Sequence, residues 1–93
     1  MLKHIVMWRL QSQPHAAQLK ALLEALPMTI AEIESFEVGV NFAEGDAVCD
    51  VVLVSAFADL EALARYRVHP DHQKVVQFLA DVSKERYVVD YMT

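Results

Sequence analysis

The stretch Leu2-Lys3-His4-Ile5-Val6-Met7-Trp8-Arg9-Leu10 opens the chain with a strand that has no face to spare for water. Side chains alternate across a strand, so Leu2, His4, Val6, Trp8 and Leu10 share one side and Lys3, Ile5, Met7 and Arg9 the other. Apolar residues occupy the middle of both sides. The strand Asp50-Val51-Val52-Leu53-Val54-Ser55-Ala56-Phe57 has the same character, with Val52 and Val54 opposing Leu53 and Phe57. Strands of this kind need a cover on each face.

The segments between them supply one cover. Pro14 suits the first turn of a helix, and Ala16, Leu19, Leu22, Leu23 and Leu26 follow at helical spacing until Pro27 ends the run. Met28 to Ile33 has no clear period; a turn of helix there would tuck Ile30 and Ile33 inward. Phe36, Val38, Val40 and Phe42 alternate with Glu37, Gly39 and Asn41 as a second strand, and Ala43-Glu44-Gly45-Asp46 reads as a turn. Asp59 is placed to cap a helix with Glu61 in its first turn and Leu60, Leu63 and Ala64 as its apolar stripe. His69-Pro70 interrupts the pattern. Pro70 restarts a helix with Val75, Val76, Phe78, Leu79 and Val82 inward, and Arg86 to Met92 alternates as the last strand.

The order strand, helix, strand, strand, helix, strand predicts an α+β, ferredoxin-like βαββαβ domain over residues 1–93. Its four-stranded antiparallel sheet carries both helices on one face. The other face stays bare and apolar, which is a liability on a monomer. Packing two such sheets face to face in a symmetric homodimer removes it. A charge at Val40 or Leu53 is expected to disrupt folding or dimerisation.

Composition points the same way. A chain of 93 residues is one domain, and its 55% hydrophobic content exceeds the roughly 45–50% of ordinary soluble domains. The net charge of -5, with eight Lys and Arg spread along the chain, argues against nucleic acid as a partner. Cys49 is the only cysteine, which excludes an intrachain disulfide and a multi-thiolate zinc site. No apolar run approaches the ~18–20 residues of a membrane span, and the first ten residues are too short and too charged for a signal peptide. The cytoplasm is the expected compartment.

Chemistry concentrates in the histidines. His15 reads as a solvated side chain. His4 shares a strand face with Val6 and Trp8, where a titratable ring needs either a pocket or a structural bond to a carbonyl or water. Tyr66-Arg67-Val68-His69-Pro70-Asp71-His72 gathers two imidazoles and a phenol around a proline corner. His69, just before Pro70, can cap the following helix. A pocket histidine such as His72 can exchange a proton, and the Tyr66 hydroxyl can hold a carbonyl oxygen. His69 and His72 are three apart, but without a His-Glu-x-x-His pattern or a dictated carboxylate no metal is expected. There is no phosphate loop or nucleophile elbow, and no cofactor is expected.

With these residues the chain resembles the stress-responsive dimeric α/β-barrel (Dabb) family over essentially its whole length. The resemblance rests on Lys3 to Leu10, Val38-Gly39-Val40-Asn41, Asp50 to Phe57, the Tyr-x-x-His-Pro-x-His run from Tyr66 to His72, and Val89-Asp90-Tyr91. It implies a homodimer whose two sheets close into one barrel. One plant branch resembles polyketide cyclases, which close a chain by aldol condensation without cofactor or metal. By that resemblance His72 is the base and Tyr66 the substrate holder, and His4 also matches. Leu19 and Leu23 stand where that branch has aromatic residues, and Trp8 narrows the space. A pocket for a small organic molecule is thus expected at His4, Val6, Trp8, Leu19, Leu23, Leu53 and His69, with His72 and Tyr66 catalytic. Three functions fit: a cofactor-free lyase or cyclase, a non-catalytic stress-associated ligand-binding protein, and, more remotely, a ferredoxin-like dimeric monooxygenase.

Overall fold

The first strand, β1, spans Leu2–Leu10, and its alternation is expressed as expected: Leu2, His4, Val6, Trp8 and Leu10 are all buried, whereas Met7 is exposed. The computed structural model describes Met1–Thr93. After β1 come α1 (His15–Glu24), a 3₁₀ turn at Leu26–Met28, β2 (Ser35–Val40), β3 (Val51–Phe57), α2 (Leu60–Val68), α3 (Pro70–Val82) and β4 (Ser83–Met92). The sheet order is β2-β3-β1-β4 and every neighbouring pair is antiparallel. This is the ferredoxin-like arrangement.

Three local differences from the sequence reading have physical causes. Strand β2 stops at Val40 and leaves Phe42 98% exposed. Asn41 ends the strand, because its side chain accepts from the Ala43 backbone N–H and donates to the Cys49 carbonyl, closing a turn. In α2 the buried stripe is Ala62, Leu63 and Tyr66, while Leu60 and Ala64 face water. The Asp59 side chain accepts from Ala62 N–H at 2.9 Å and fixes where the helix begins. Helix α3 runs into β4 without a loop, so the last strand starts at Ser83, whose hydroxyl donates to the Leu79 carbonyl.

One cluster of eighteen buried residues joins the helices to the inner sheet face. Val6 pairs with Leu53, and Leu53 with Val38, so these residues lie under the helices. Leu53 and Val40 therefore belong to the covered face, and a charge at Leu53 perturbs the core rather than the open side. The open side is built from the opposite parity. Ile5 lies between Val54 and Val89, and Met7 between Val52 and Tyr87. No helix covers them; Val89 is 57% and Tyr87 47% exposed. No helix of the chain is long and apolar enough to cross a membrane.

Candidate functional site

Between the inner sheet face and the helices lies a cavity of about 380 Å³, within the ~300–1,000 Å³ range of small-molecule sites. His4, Val6 and Trp8 come from β1, Leu53 from β3, Leu23 from α1 and Tyr66 from α2. Helix α3 contributes His72, Val75, Val76, Leu79 and Ala80, and β4 contributes Ser83 and Arg86. Facing this space explains why α3 buries only Val75 and Val82 fully.

His4 is the buried polar group that strand alternation places on the apolar face. The β1–β4 register sets it opposite Asp90, and its Nδ1 donates to Asp90 Oδ1 at 2.5 Å. Asp90 Oδ2 accepts from the Arg67 guanidinium at 3.3 Å. On the other side, the buried Ser55 hydroxyl donates to the His4 carbonyl at 2.7 Å. Burial lowers the His4 pKa below its ordinary value, against the opposing pull of the Asp90 carboxylate. The ring is oriented by a carboxylate, and Nε2 keeps its lone pair.

Tyr66 and His72 meet across the proline corner with ring centroids 4.3 Å apart. Tyr66 also packs on Phe57 at 4.8 Å and is 1% exposed. Burial pushes its phenol well above the usual tyrosine value, so it stays protonated and able to donate. His72 is half-buried, and its Nδ1 lies 3.1 Å from the Arg67 carbonyl. A carbonyl only accepts, so Nδ1 carries the proton and Nε2 is the basic nitrogen. Desolvation lowers the His72 pKa, which keeps the imidazole neutral at physiological pH.

The corner itself is built by His69. It ends α2 and begins α3, and its Nδ1 accepts from the Asp71 backbone N–H at 3.1 Å. His69 therefore lies in the wall's framework and not in the lining. Leu19 is likewise outside, sealed in the core at 0% exposure one helical turn from Leu23, which does line the cavity. Of the residues singled out from sequence, the structure gathers His4, Val6, Trp8, Leu23, Leu53, Tyr66 and His72 around one space. It adds Ser83, Arg86 and the α3 residues to the lining, and Asp90 behind His4. Asp90 and Arg86 share a parity in the last strand; only the pairing of β4 with β1 reveals that this parity belongs to the inner sheet face, beside His4 and Trp8. No group of three or more His, Cys, Asp or Glu side chains has the closeness needed to hold a metal ion.

The chain matches the family described as Dabb, Stress responsive A/B Barrel Domain, over residues 2–93. It belongs to the Dabb family. A dimeric ferredoxin-like protein of unknown function from Bacteroides fragilis is 31% identical, with a TM-score of 0.89 over 99% of this chain and 95% of that one. At 16% identity the fold alone is shared with a hydroxynitrile lyase from Passiflora edulis, at TM-score 0.84 over 99% of this Dabb chain and 92% of the other. The same holds for an antibiotic biosynthesis monooxygenase, also 16% identical, at TM-score 0.79 over 100% and 98% of the two chains. Among curated proteins there is no match.

Proposed function

We propose that this Dabb protein is a homodimer whose protomers each bind a small carbonyl compound in the sheet–helix cavity and catalyse cofactor-free proton transfer of the lyase or cyclase kind. The dimer rests on the open apolar sheet face, which a second copy covers, and on the dimeric state of the Bacteroides fragilis relative. The free thiol of Cys49 suits a reducing, cytoplasmic setting.

One observation carries the chemistry. The Arg67 carbonyl occupies His72 Nδ1, leaving Nε2 as a lone-pair base on a ring that packs against Tyr66 with centroids 4.3 Å apart, and both residues line the cavity. In the proposed step Nε2 takes a proton from the carbon next to the carbonyl. Tyr66 donates a hydrogen bond to the oxygen as it becomes an enolate. In a cyclase the enolate carbon then bonds to a second carbonyl carbon, and the His72 imidazolium returns its proton to the new alkoxide. Atoms and charge balance without metal or redox partner. The Passiflora edulis lyase shows that the fold accommodates an active site.

The test uses acetophenone as a probe. Trp8 is the chain's only tryptophan and lines the cavity, so its emission reports occupancy. Methyl-proton exchange into D₂O, followed by NMR, reports proton abstraction. Binding with accelerated exchange supports the proposal. Binding without acceleration leaves the non-catalytic, ligand-binding reading.

A further inference from the structure

The chain has four arginines, and three are matched to carboxylates: Arg9 to Glu85, Arg65 to Glu32 and Arg67 to Asp90. Arg86 forms no ion pair, yet it lines the cavity. The carboxylates beside it in sequence are engaged elsewhere. Glu85 accepts from Arg9 and from the Tyr87 hydroxyl, and Asp90 from His4 and Arg67. Arg86 is itself exposed, so its charge sits where the cavity meets solvent.

Directly across the β1–β4 ladder from Arg86 stands Trp8. Trp8 is 3% exposed, and its indole Nε1–H is buried without an acceptor. A buried donor left unpaired is costly, and neither an indole N–H nor a guanidinium can accept a hydrogen bond from the other. The exposed, unpaired guanidinium of Arg86 thus neighbours a buried indole on the same sheet face. The histidine–tyrosine cluster lies toward the other end of the same strand face, since His4 and Trp8 are four residues, about 13 Å, apart along β1.

We infer that the cavity's ligand is an oxo-acid: its anionic oxygen group is held by Arg86, across the ladder from Trp8, and its carbonyl end reaches His72 and Tyr66. The inference deepens the proposed function and rests on the cavity being a ligand site. A guanidinium supplies paired donors for a carboxylate, and the charged bond is about twice as strong as a neutral one. The chain's net charge of -5 makes a local cationic mouth the means by which an anion enters.

The experiment compares the para-acetyl derivative of phenylpropanoate with its primary amide, both titrated against the intact protein by Trp8 emission. The acid should bind about tenfold more tightly than the amide at low salt, with the advantage shrinking as ionic strength rises. Arg86→Gln should bring the acid-to-amide ratio to about one, whereas Arg65→Gln, which removes the same charge outside the cavity, should preserve the ratio. Equal binding of acid and amide to the unmutated protein would overturn the inference and leave the cavity as a ligand site. A preference that survives Arg86→Gln would overturn it too. If neither probe perturbs Trp8, the ligand-site reading itself fails and the oxo-acid falls with it.

Discussion

His4 Nδ1 and Asp90 Oδ1 are 2.5 Å apart, so a hydrogen bond between residues 86 positions apart in sequence ties the first strand to the last inside the cavity wall. The carboxylate sets the tautomer of the imidazole and supports its basicity while burial opposes it.

Asp90→Asn should therefore lower the His4 pKa further, since the Asp90 hydrogen bond and charge are the influences that raise it. NMR titration of the imidazole protons measures this directly. An upward movement would contradict the assignment of Asp90 as the orienting partner.

Acid should destabilise the fold starting below the ordinary histidine value of 6.5, because both His4 and His72 titrate lower in the folded chain. Above 6.5 neither folded nor unfolded imidazoles hold the proton, and pH has no leverage through them. As pH falls from 6.5 through the lowered folded values, the unfolded chain binds protons first and stability drops. Denaturant midpoints measured across this window should decline in the unmutated protein and decline less in His72→Ala.

The homodimer should scatter light as twice the 10.5 kDa chain at micromolar concentration. Val52→Lys and Val54→Asp alter the open sheet face and should give folded monomers. Leu53→Asp buries a charge in the core at a site 1% exposed and should abolish folding. A folded, monomeric unmutated protein would refute the paired-sheet assembly.

In proton exchange from acetophenone, His72→Ala should lose a factor of about 10²–10⁴, the usual contribution of a general base. Tyr66→Phe removes one neutral hydrogen bond, worth about 0.5–1.5 kcal/mol, and should cost roughly tenfold or less. Equal losses in the two variants would argue against separate roles.

Leu19→Ala should destabilise the protein by about 2–5 kcal/mol, as for other fully buried leucines. Chemical denaturation measures it. A loss well below this range would mean that the neighbours collapse into the space.

Element order and the need to cover two apolar faces were legible in the alternation of Leu2 to Leu10 and of Val51 to Phe57, but which face the helices take was not: Val40 and Leu53 lie on the helix-covered side. Period and parity are local properties. His4, Tyr66 and His72 were legible because a polar group on an apolar face, or at a proline corner, stands out against its neighbours. Arg86 and Asp90 were not, since a charged residue in an alternating edge strand looks solvated until its partner strand is known. Leu19 and Leu23 cannot be distinguished by helical period, being one turn apart, and only the tilt of α1 over the sheet decides which of them meets the cavity. His69 carried both readings, framework and site; its imidazole is used by the Asp71 backbone.

The proline corner has a consequence for how a guest is accommodated. A single residue separates the helix bearing Tyr66 from the helix bearing His72, and a residue before proline is confined to extended backbone, as His69 is at φ -62° and ψ 135°. The Arg67 carbonyl is clamped from beyond the corner by both His72 and Gln73, the latter at 2.6 Å. Tyr66 and His72 thus behave as a fixed gauge whose spacing no loop movement can adjust. Adaptation to guests of different length falls to the opposite wall, where Arg86 is exposed and held by no ion pair. Selectivity should be strict for the reacting end of a molecule and tolerant for its tail.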